Sequence, residues 1–530
     1  MKKALMLAAV VAIAATAAAV ALAADNESGF TTTQGSMLTG VAPGSTVDPI
    51  ITVGDTMPGG YRFESIPDGI ALKARGNGRL DVYVNHETST VPFPYNANAA
   101  AEANQNDFDN AQLSRLALSQ RSGGVLNAKM VIESSSNYQR FCSSYLATAA
   151  EGFDRELLFM NEEATDFVYR TGTAWPAPAS EPPAEQAGLV VAYDVRTGKH
   201  RPIHGMGRHN HENSVAIPGF DDLVVLSGDD TFTPDPAQSQ LYSYIAPDAD
   251  AIWSDTGRLY GFRVDNSAVN DYYDVPIGST DSYPGTFVAI DSAAARGTQT
   301  ALETASDAAG VFQFVRVEDI AYDKRPGKGN IVYVADSGRG SDSAGTNAFA
   351  SRNGRIWKLE FTDPDDPTKA TLSLLVEGDD QPIKTVAEIH QPDNLETTAA
   401  GSLMVTEDPG SGQQFPIGST DTRATTARLW WVDLDTGGMT VAAKVDQSAD
   451  EGPTDVDAAP AGNQGAWESS GVVDASEVYG AGAFLVTIQA STLWLEKEIV
   501  LPADDPGPLK RGFTKKRSGG QLVLLRVPGA

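Results

Sequence analysis

The feature that most constrains the fold is a short unit that recurs along the chain. An apolar run ends in an acid or amide, a turn follows, and a second run carries a Leu/Ile-Tyr/Trp signature. Leu223-Val-Val-Leu-Ser-Gly-Asp-Asp230 precedes Gln240-Leu-Tyr-Ser-Tyr-Ile245, and Asn330-Ile-Val-Tyr-Val-Ala-Asp336 precedes Gly354-Arg-Ile-Trp-Lys-Leu-Glu-Phe361. Ser402-Leu-Met-Val-Thr-Glu-Asp408 and Phe484-Leu-Val-Thr-Ile-Gln489 open two later copies, and Glu156-Leu-Leu-Phe-Met-Asn-Glu-Glu163 an earlier one. β-Branched and aromatic runs bounded by Gly, Asp, Asn and Pro read as strands. One copy cannot bury its own face, so the copies must pack on one another. Four-stranded sheets repeated radially around a channel make a β-propeller. Five copies are plain and a sixth starts near Tyr61. The expected fold is therefore all-β, a β-propeller of six irregular blades with few helices and long inserted loops at 173–186 and 265–303. A pair of packed sheets is the competing architecture. The Ala-, Asn- and Gln-rich stretch 97–120 is the expected helix, firmest over 111–119. No linker of distinct composition divides residues 25–530, which read as one domain.

A propeller gives acids at strand ends a meaning. The innermost strands line the channel, so residues far apart in sequence meet at one mouth. Acids close such strands in Tyr83-Val-Asn-His-Glu87, Asn161-Glu-Glu163, His209-Asn-His-Glu212, Arg316-Val-Glu-Asp319, Gln391-Pro-Asp-Asn394 and Trp467-Glu468. Crowded carboxylates repel unless cations or protons neutralise them, and hard oxygen donors from several loops suit Ca²⁺ better than the tight octahedron of Mg²⁺. Each residue also has a plainer reading. Glu87 fits a turn cap in the first blade. Glu162 and Glu163 point to opposite faces of a strand, so at most one is a prime ligand. His209 and His211 share a face that could be a polar surface. Arg316 fits an ordinary ion pair with Glu318 or Asp319, or an anion clamp, because guanidinium matches phosphate as a bidentate fork.

Charge and termini narrow the class. The 530 residues carry 39 Lys and Arg against 69 Asp and Glu, a net charge of −30. That balance argues against nucleic acid or an anionic membrane as partner and, weakly, for a monomer. Met1-Lys2-Lys3 followed by an Ala-rich apolar run and Ala21-Leu22-Ala23-Ala24 reads as a signal peptide over residues 1–24. The mature protein is then exported to the periplasm or the medium. Cys142 is the sole cysteine, by composition either a buried filler, an intermolecular partner, or a ligand or nucleophile. There is no HExxH, CxxC, EF-hand, Gly-x-Ser-x-Gly or Walker A pattern.

Taken in order, Pro67-Asp-Gly69, Tyr83-Val-Asn-His-Glu87, Cys142, Asn161-Glu-Glu163, Met206-Gly-Arg-His-Asn-His-Glu-Asn213, Arg316-Val-Glu-Asp319, Pro392-Asp-Asn394 and Glu468 resemble the PhoX-type alkaline phosphatases. The resemblance spans residues 65–527. It implies a secreted β-propeller that hydrolyses small-molecule phosphate esters with iron (Fe³⁺) and calcium (Ca²⁺). It makes Cys142 a thiolate ligand of iron, Glu212 and Glu318 carboxylate ligands, and Glu163, Asp393 and Glu468 acids of the same cluster, more on the calcium side. Arg316 would hold phosphate. The chain departs from the pattern at 143–161, at Asn161 where a second cysteine is common, at Ile488-Gln-Ala-Ser491 in place of a Gln-His-Pro element, and in lacking a twin arginine. A calcium-dependent phytase or lactonase and a non-catalytic calcium-stabilised binding protein are the alternatives.

Overall fold

The computed structural model describes residues 28–92, 96, 100–170, 184–231, 233, 236–338, 353–379, 389–409, 425–447, 466–501 and 512–530. The expected leader at 1–24 and most of the loop at 173–186 lie outside them.

The described strands form antiparallel units that follow one another along the chain. The first contains Pro67–Gly76, Arg79–His86, Gln112–Ser119 and Val125–Ile132; the second Phe141–Ala147, Leu157–Glu162, Val190–Asp194 and His200–Ile203. The third runs His211–Ile217, Leu223–Asp229, Leu241–Ala246 and Arg258–Val264, and the fourth Val317–Tyr322, Ile331–Asp336, Arg355–Phe361 and Lys369–Glu377. Pro392–Thr397, Ser402–Glu407, Arg428–Asp433 and Met439–Val445 make the fifth. The sixth joins Glu468–Asp474, Ala483–Val500 and Phe513–Arg526 to the early strand Thr46–Thr52, so both ends of the described chain share one sheet. The first strands of successive units neighbour one another in a closed cycle, the sixth returning to the first. The result is a propeller-like ring with these strands innermost. Apolar side chains fill the spaces between sheets. Trp357, for example, is fully buried among Tyr272, Phe312 and Phe314 with ring centroids 5.8–6.2 Å apart, and each such side chain stabilises the fold by roughly 1.5–3 kcal/mol.

The expected helix at 97–120 is not present. Its described part is a one-turn 3₁₀ segment, Ala101–Ala103, then strands Gln105–Asp107 and Gln112–Ser119. Gln112–Ser119 pairs on both sides, with Arg79–His86 and Val125–Ile132, and buries Leu113, Leu116 and Leu118. Those pairings override local helix propensity. The longest helix among the described residues, Gln299–Ala309, instead lies partly in the expected loop 265–303. Thr298 caps its start and Gly310, at φ +68°, ends it. The same insert supplies Ser282–Ala289, which joins the outer edges of the third and fourth units.

One irregularity repeats in all six innermost strands. In the first five the β-bulge follows the first paired position directly, and in the sixth it follows the second, Ser469; in each, two residues oppose one on the neighbouring strand. The bulged pairs are Asp68-Gly69, Cys142-Ser143, Glu212-Asn213, Glu318-Asp319, Asp393-Asn394 and Ser470-Gly471. A bulge bends the strand and re-aims a side chain. Here it occurs six times at the same level of the channel. Glycine at the second position of the first and sixth pairs is required by close approach: a Cβ on Gly69 would stand 2.4 Å from the Ser144 nitrogen, and one on Gly471 2.5 Å from the Asp68 carbonyl oxygen.

Candidate metal centre

The repeated bulge builds the site in tiers. Its first residues, Asp68, Cys142, Glu212, Glu318, Asp393 and Ser470, occupy one level. The residues that follow the paired position on each second strand are Glu87, Glu163, Asp230, Ser337, Asp408 and Gln489. The residues that enter each inner strand are Ile66, Arg140, Asn210, Arg316, Gln391 and Glu468. Most members of these tiers line one cavity of about 420 Å³. Ser470 and Ser337 act from behind, donating hydrogen bonds to Asp68 and to Glu318 Oε1.

All seven residues singled out from the sequence, Cys142, Glu163, Glu212, Arg316, Glu318, Asp393 and Glu468, face this cavity. Cys142 Sγ lies 3.0 Å from Asp68 Oδ2 and 3.0 Å from Glu212 Oε1, and Ser143 Oγ donates to the same Glu212 oxygen at 2.9 Å. Arg316 forks onto Asp230, Nε to Oδ1 at 2.6 Å and a terminal nitrogen to Oδ2 at 2.7 Å, and meets Glu318 Oε1 at 2.9 Å. It is thus both an ion-paired residue and a cavity-lining one.

Other expectations separate. Glu87 is in the cavity, its Oε2 accepting from Gln489 Nε2 at 2.9 Å, rather than capping a structural turn. Glu162 points away as alternation requires; Arg170 forks onto it at 2.6 and 2.8 Å and the Gln139 and Leu189 amides donate to it. His209 and His211 are buried, not surface residues. They stack on each other with centroids 3.5 Å apart, His209 also lies on Tyr242, and His211 bonds Ser227 and the Gly207 carbonyl. Asp68, Asp230 and Asp408 line the cavity without having been singled out. All three stood inside segments already visible, Pro67-Asp-Gly69 and two repeat units. The overlooked signal was positional equivalence: each matches an acid recognised in another unit.

The electrostatics of the cluster suit cations. Burial is the largest influence raising the pKa of Asp68, Glu163, Glu212, Glu318, Asp393 and Glu468, and neighbouring carboxylates add to it at each of the last five. Burial, then the charge of Asp68, pushes Glu87 up to about 8. Burial and the charges of Asp68 and Glu212 drive the Cys142 thiol well above its ordinary value. A buried metal-free cluster of this kind holds protons, and a bound cation would displace them. Three groups have ligand atoms within 4.8 Å of one another: Asp68, Glu87 and Cys142; Cys142, Glu163 and Glu212; Glu212, Asp230 and Glu318. Cys142 and Glu212 each belong to two groups, so neighbouring positions share ligands. The donor set is carboxylate oxygen plus one sulfur, which fits hard cations and a thiolate-accepting metal side by side.

Fold and site together define an all-β, propeller-like protein with an acidic centre at one end of its channel. The family model described as "Alkaline phosphatase PhoX" matches residues 144–454, more than half of the chain. The chain belongs to that family. Among solved structures, "Pseudomonas fluorescens PhoX in complex with vanadate, a transition state analogue" shares the fold, with a TM-score of 0.56 at 16% identity over 94% of this chain and 98% of that one. An α-L-arabinanase of Penicillium chrysogenum complexed with arabinobiose aligns over 91% and 98% of the two chains at 9% identity, but its TM-score of 0.37 supports no inference. No curated protein matches the chain.

Proposed function

We propose that this chain is an exported, metal-dependent phosphoric-ester hydrolase. It releases phosphate from small organic esters at a calcium- and iron-holding carboxylate centre, with a preference for monoesters. The observation that carries the reading is the convergence of equivalent acids from successive units on one buried cavity, with a thiol and an arginine among them, in a member of a phosphatase family. The non-catalytic reading expected acids scattered over the surface, and their gathering counts against it.

Asp68, Glu87, Cys142, Glu163, Glu212, Asp230 and Glu318 would hold the cations, with Asp393 and Glu468 completing the ring. Iron would sit with Cys142 and Glu212, and calcium toward the all-oxygen positions. Bound there, the cations would neutralise phosphate oxygens and activate an oxygen nucleophile for in-line displacement. The chain's own residues do the rest. Asp230 and Glu318 fix the plane of the Arg316 guanidinium, which faces the cavity ready to meet equatorial phosphate oxygens as charge develops on them. Ser143 orients Glu212 through Oε1, and Ser337 orients Glu318. The surplus of acids means that an approaching dianion is repelled until cations are in place, so catalysis and metal loading are coupled. The test is hydrolysis of p-nitrophenyl phosphate, bis-p-nitrophenyl phosphate, phytate and a lactone side by side by the metal-loaded protein. Turnover of the monoester above the rest supports the reading; turnover of the lactone alone replaces it.

A further inference from the structure

The tier that enters the inner strands is asymmetric in a way the acid tiers are not. The second, third and fourth units present Arg140, Asn210 and Arg316, three donors at equivalent positions on one arc of the cavity wall, while the sixth presents Glu468. Arg316 is fixed by its fork on Asp230. Arg140 is held differently. Its guanidinium reaches Asp166 Oδ2 at 3.2 Å and the Val91 carbonyl at 3.3 Å, and Asp166 also lines the cavity. Its side chain is 13% exposed, so the charge is largely desolvated yet open to the cavity.

The backbone adds a second observation. Arg140 has φ +40°, a left-handed conformation that costs a side-chain-bearing residue on the order of 1–3 kcal/mol. Ile66 at +48° and Gln391 at +47° adopt the same turn at equivalent positions, so the entry into the strand sets the geometry. Glycine or asparagine would satisfy it with less strain. The backbone contacts of Arg140, its amide to the Thr88 carbonyl at 3.1 Å and its carbonyl to the Glu163 amide at 2.9 Å, are available to any such residue. What arginine alone supplies is a forked cation aimed at the cavity.

We propose that Arg140 is a second phosphate-binding arginine, completing with Asn210 and Arg316 an arc of donors over the acid ring and exchanging Asp166 for an oxygen of the ester's phosphate. No bond is made or broken; one carboxylate oxygen is replaced by one phosphate oxygen on the same guanidinium. The proposal rests on the phosphatase reading and adds a residue to its substrate site.

The test compares full-length, metal-loaded parent protein with Arg140→Ala, Arg140→Lys and Arg140→Gly. KM for p-nitrophenyl phosphate and Ki for inorganic phosphate should rise about tenfold or more in the Ala and Gly variants, the loss of one charge-assisted contact. Arg140→Lys, a point charge without the fork, should fall between. Metal content by elemental analysis should stay at the parent level and kcat within about threefold. Arg140→Gly should retain the parent's Tm, because it relieves the strained φ while losing only the anion-binding guanidinium. A structural arginine would instead lose Tm or metal and leave Ki alone, and that result overturns the proposal, as do KM and Ki within twofold of the parent. A phosphate-induced rise in Tm separates the two claims. If the parent hydrolyses no ester, the phosphatase reading fails, and a phosphate shift present in the parent but lost in Arg140→Ala still supports the anion site. No shift in an inactive parent overturns both.

Discussion

Cys142 and Glu212 stand 70 residues apart in sequence, on the inner strands of neighbouring units, with Sγ 3.0 Å from Oε1. Both occupy the first position of a bulge, and both belong to two of the three groups able to share a cation. A thiol in that position is kept protonated by its burial and by the surrounding acids unless a metal replaces the proton. Cys142→Ser should therefore lower bound iron to less than half of the parent's content by elemental analysis while leaving the circular dichroism of the fold unchanged. Equal iron in the two proteins would remove Cys142 from the metal.

Glu212→Gln keeps the shape of the side chain and its bond from Ser143 but removes the charge. Outer-sphere partners of metal ligands typically cost about 10–100-fold when lost, so a direct ligand should cost at least about 100-fold in kcat/KM. Steady-state kinetics alongside a thermal melt checks this. Full activity would show that Glu212 is no part of the centre.

Asp230 is the partner that lets Arg316 remain charged in a buried place. Removing one member of a buried pair costs about 3–5 kcal/mol, and Glu318 is left as the remaining anion at 2.9 Å. Asp230→Asn should lose about 3 kcal/mol in denaturant unfolding and weaken phosphate inhibition. An unchanged midpoint would mean that the fork contributes little.

Metal-free protein should lose stability as pH rises. Between the ordinary carboxylate value and about 8, native Glu87 holds a proton that the unfolded chain has released. The native state then binds more protons than the unfolded one, and stability falls with pH through that window. The raised pKa values of Glu163 and Glu212 act in the same direction. Histidines set the acid side: burial holds His86 down to about 4 and His211 to about 3, so stability is also lost as pH falls below their unfolded value. Melts from about pH 7 to 9, above the histidine range, should show Tm in EGTA declining toward alkaline pH, and saturating calcium should reverse the slope, because cations bind deprotonated ligands. A flat EGTA profile would contradict the burial of these acids.

The sequence made the ring legible because each unit writes the same short pattern; it made Glu212, Glu318 and Asp393 legible because each is the second residue of an inner strand, and Glu468 because it opens one. It hid Asp230 because that residue closes a second strand, where an acid looks like a turn residue until the neighbouring strand is known. Asp68 stands in a motif, Pro67-Asp-Gly69, in which nothing local marks it as the counterpart of Glu212; Gly69 is small because Ser144 of the next unit passes 2.4 Å from where a Cβ would be. The stretch 112–119 misled for a related reason. Its residues carry helix propensity, and only pairing with two neighbouring strands makes it β. Bulge register and cross-unit packing are non-local, and no window of residues contains them.

Hydrolysis at the acid ring should depend on bound cations. The most direct measurement is p-nitrophenyl phosphate hydrolysis before chelation, after exhaustive EGTA and iron-chelator treatment verified by elemental analysis, and after restoring calcium and iron separately and together. Activity should be lost on removal, its recovery should require calcium, and full recovery should come only with both metals. Unchanged hydrolysis by protein shown to hold neither metal would contradict it.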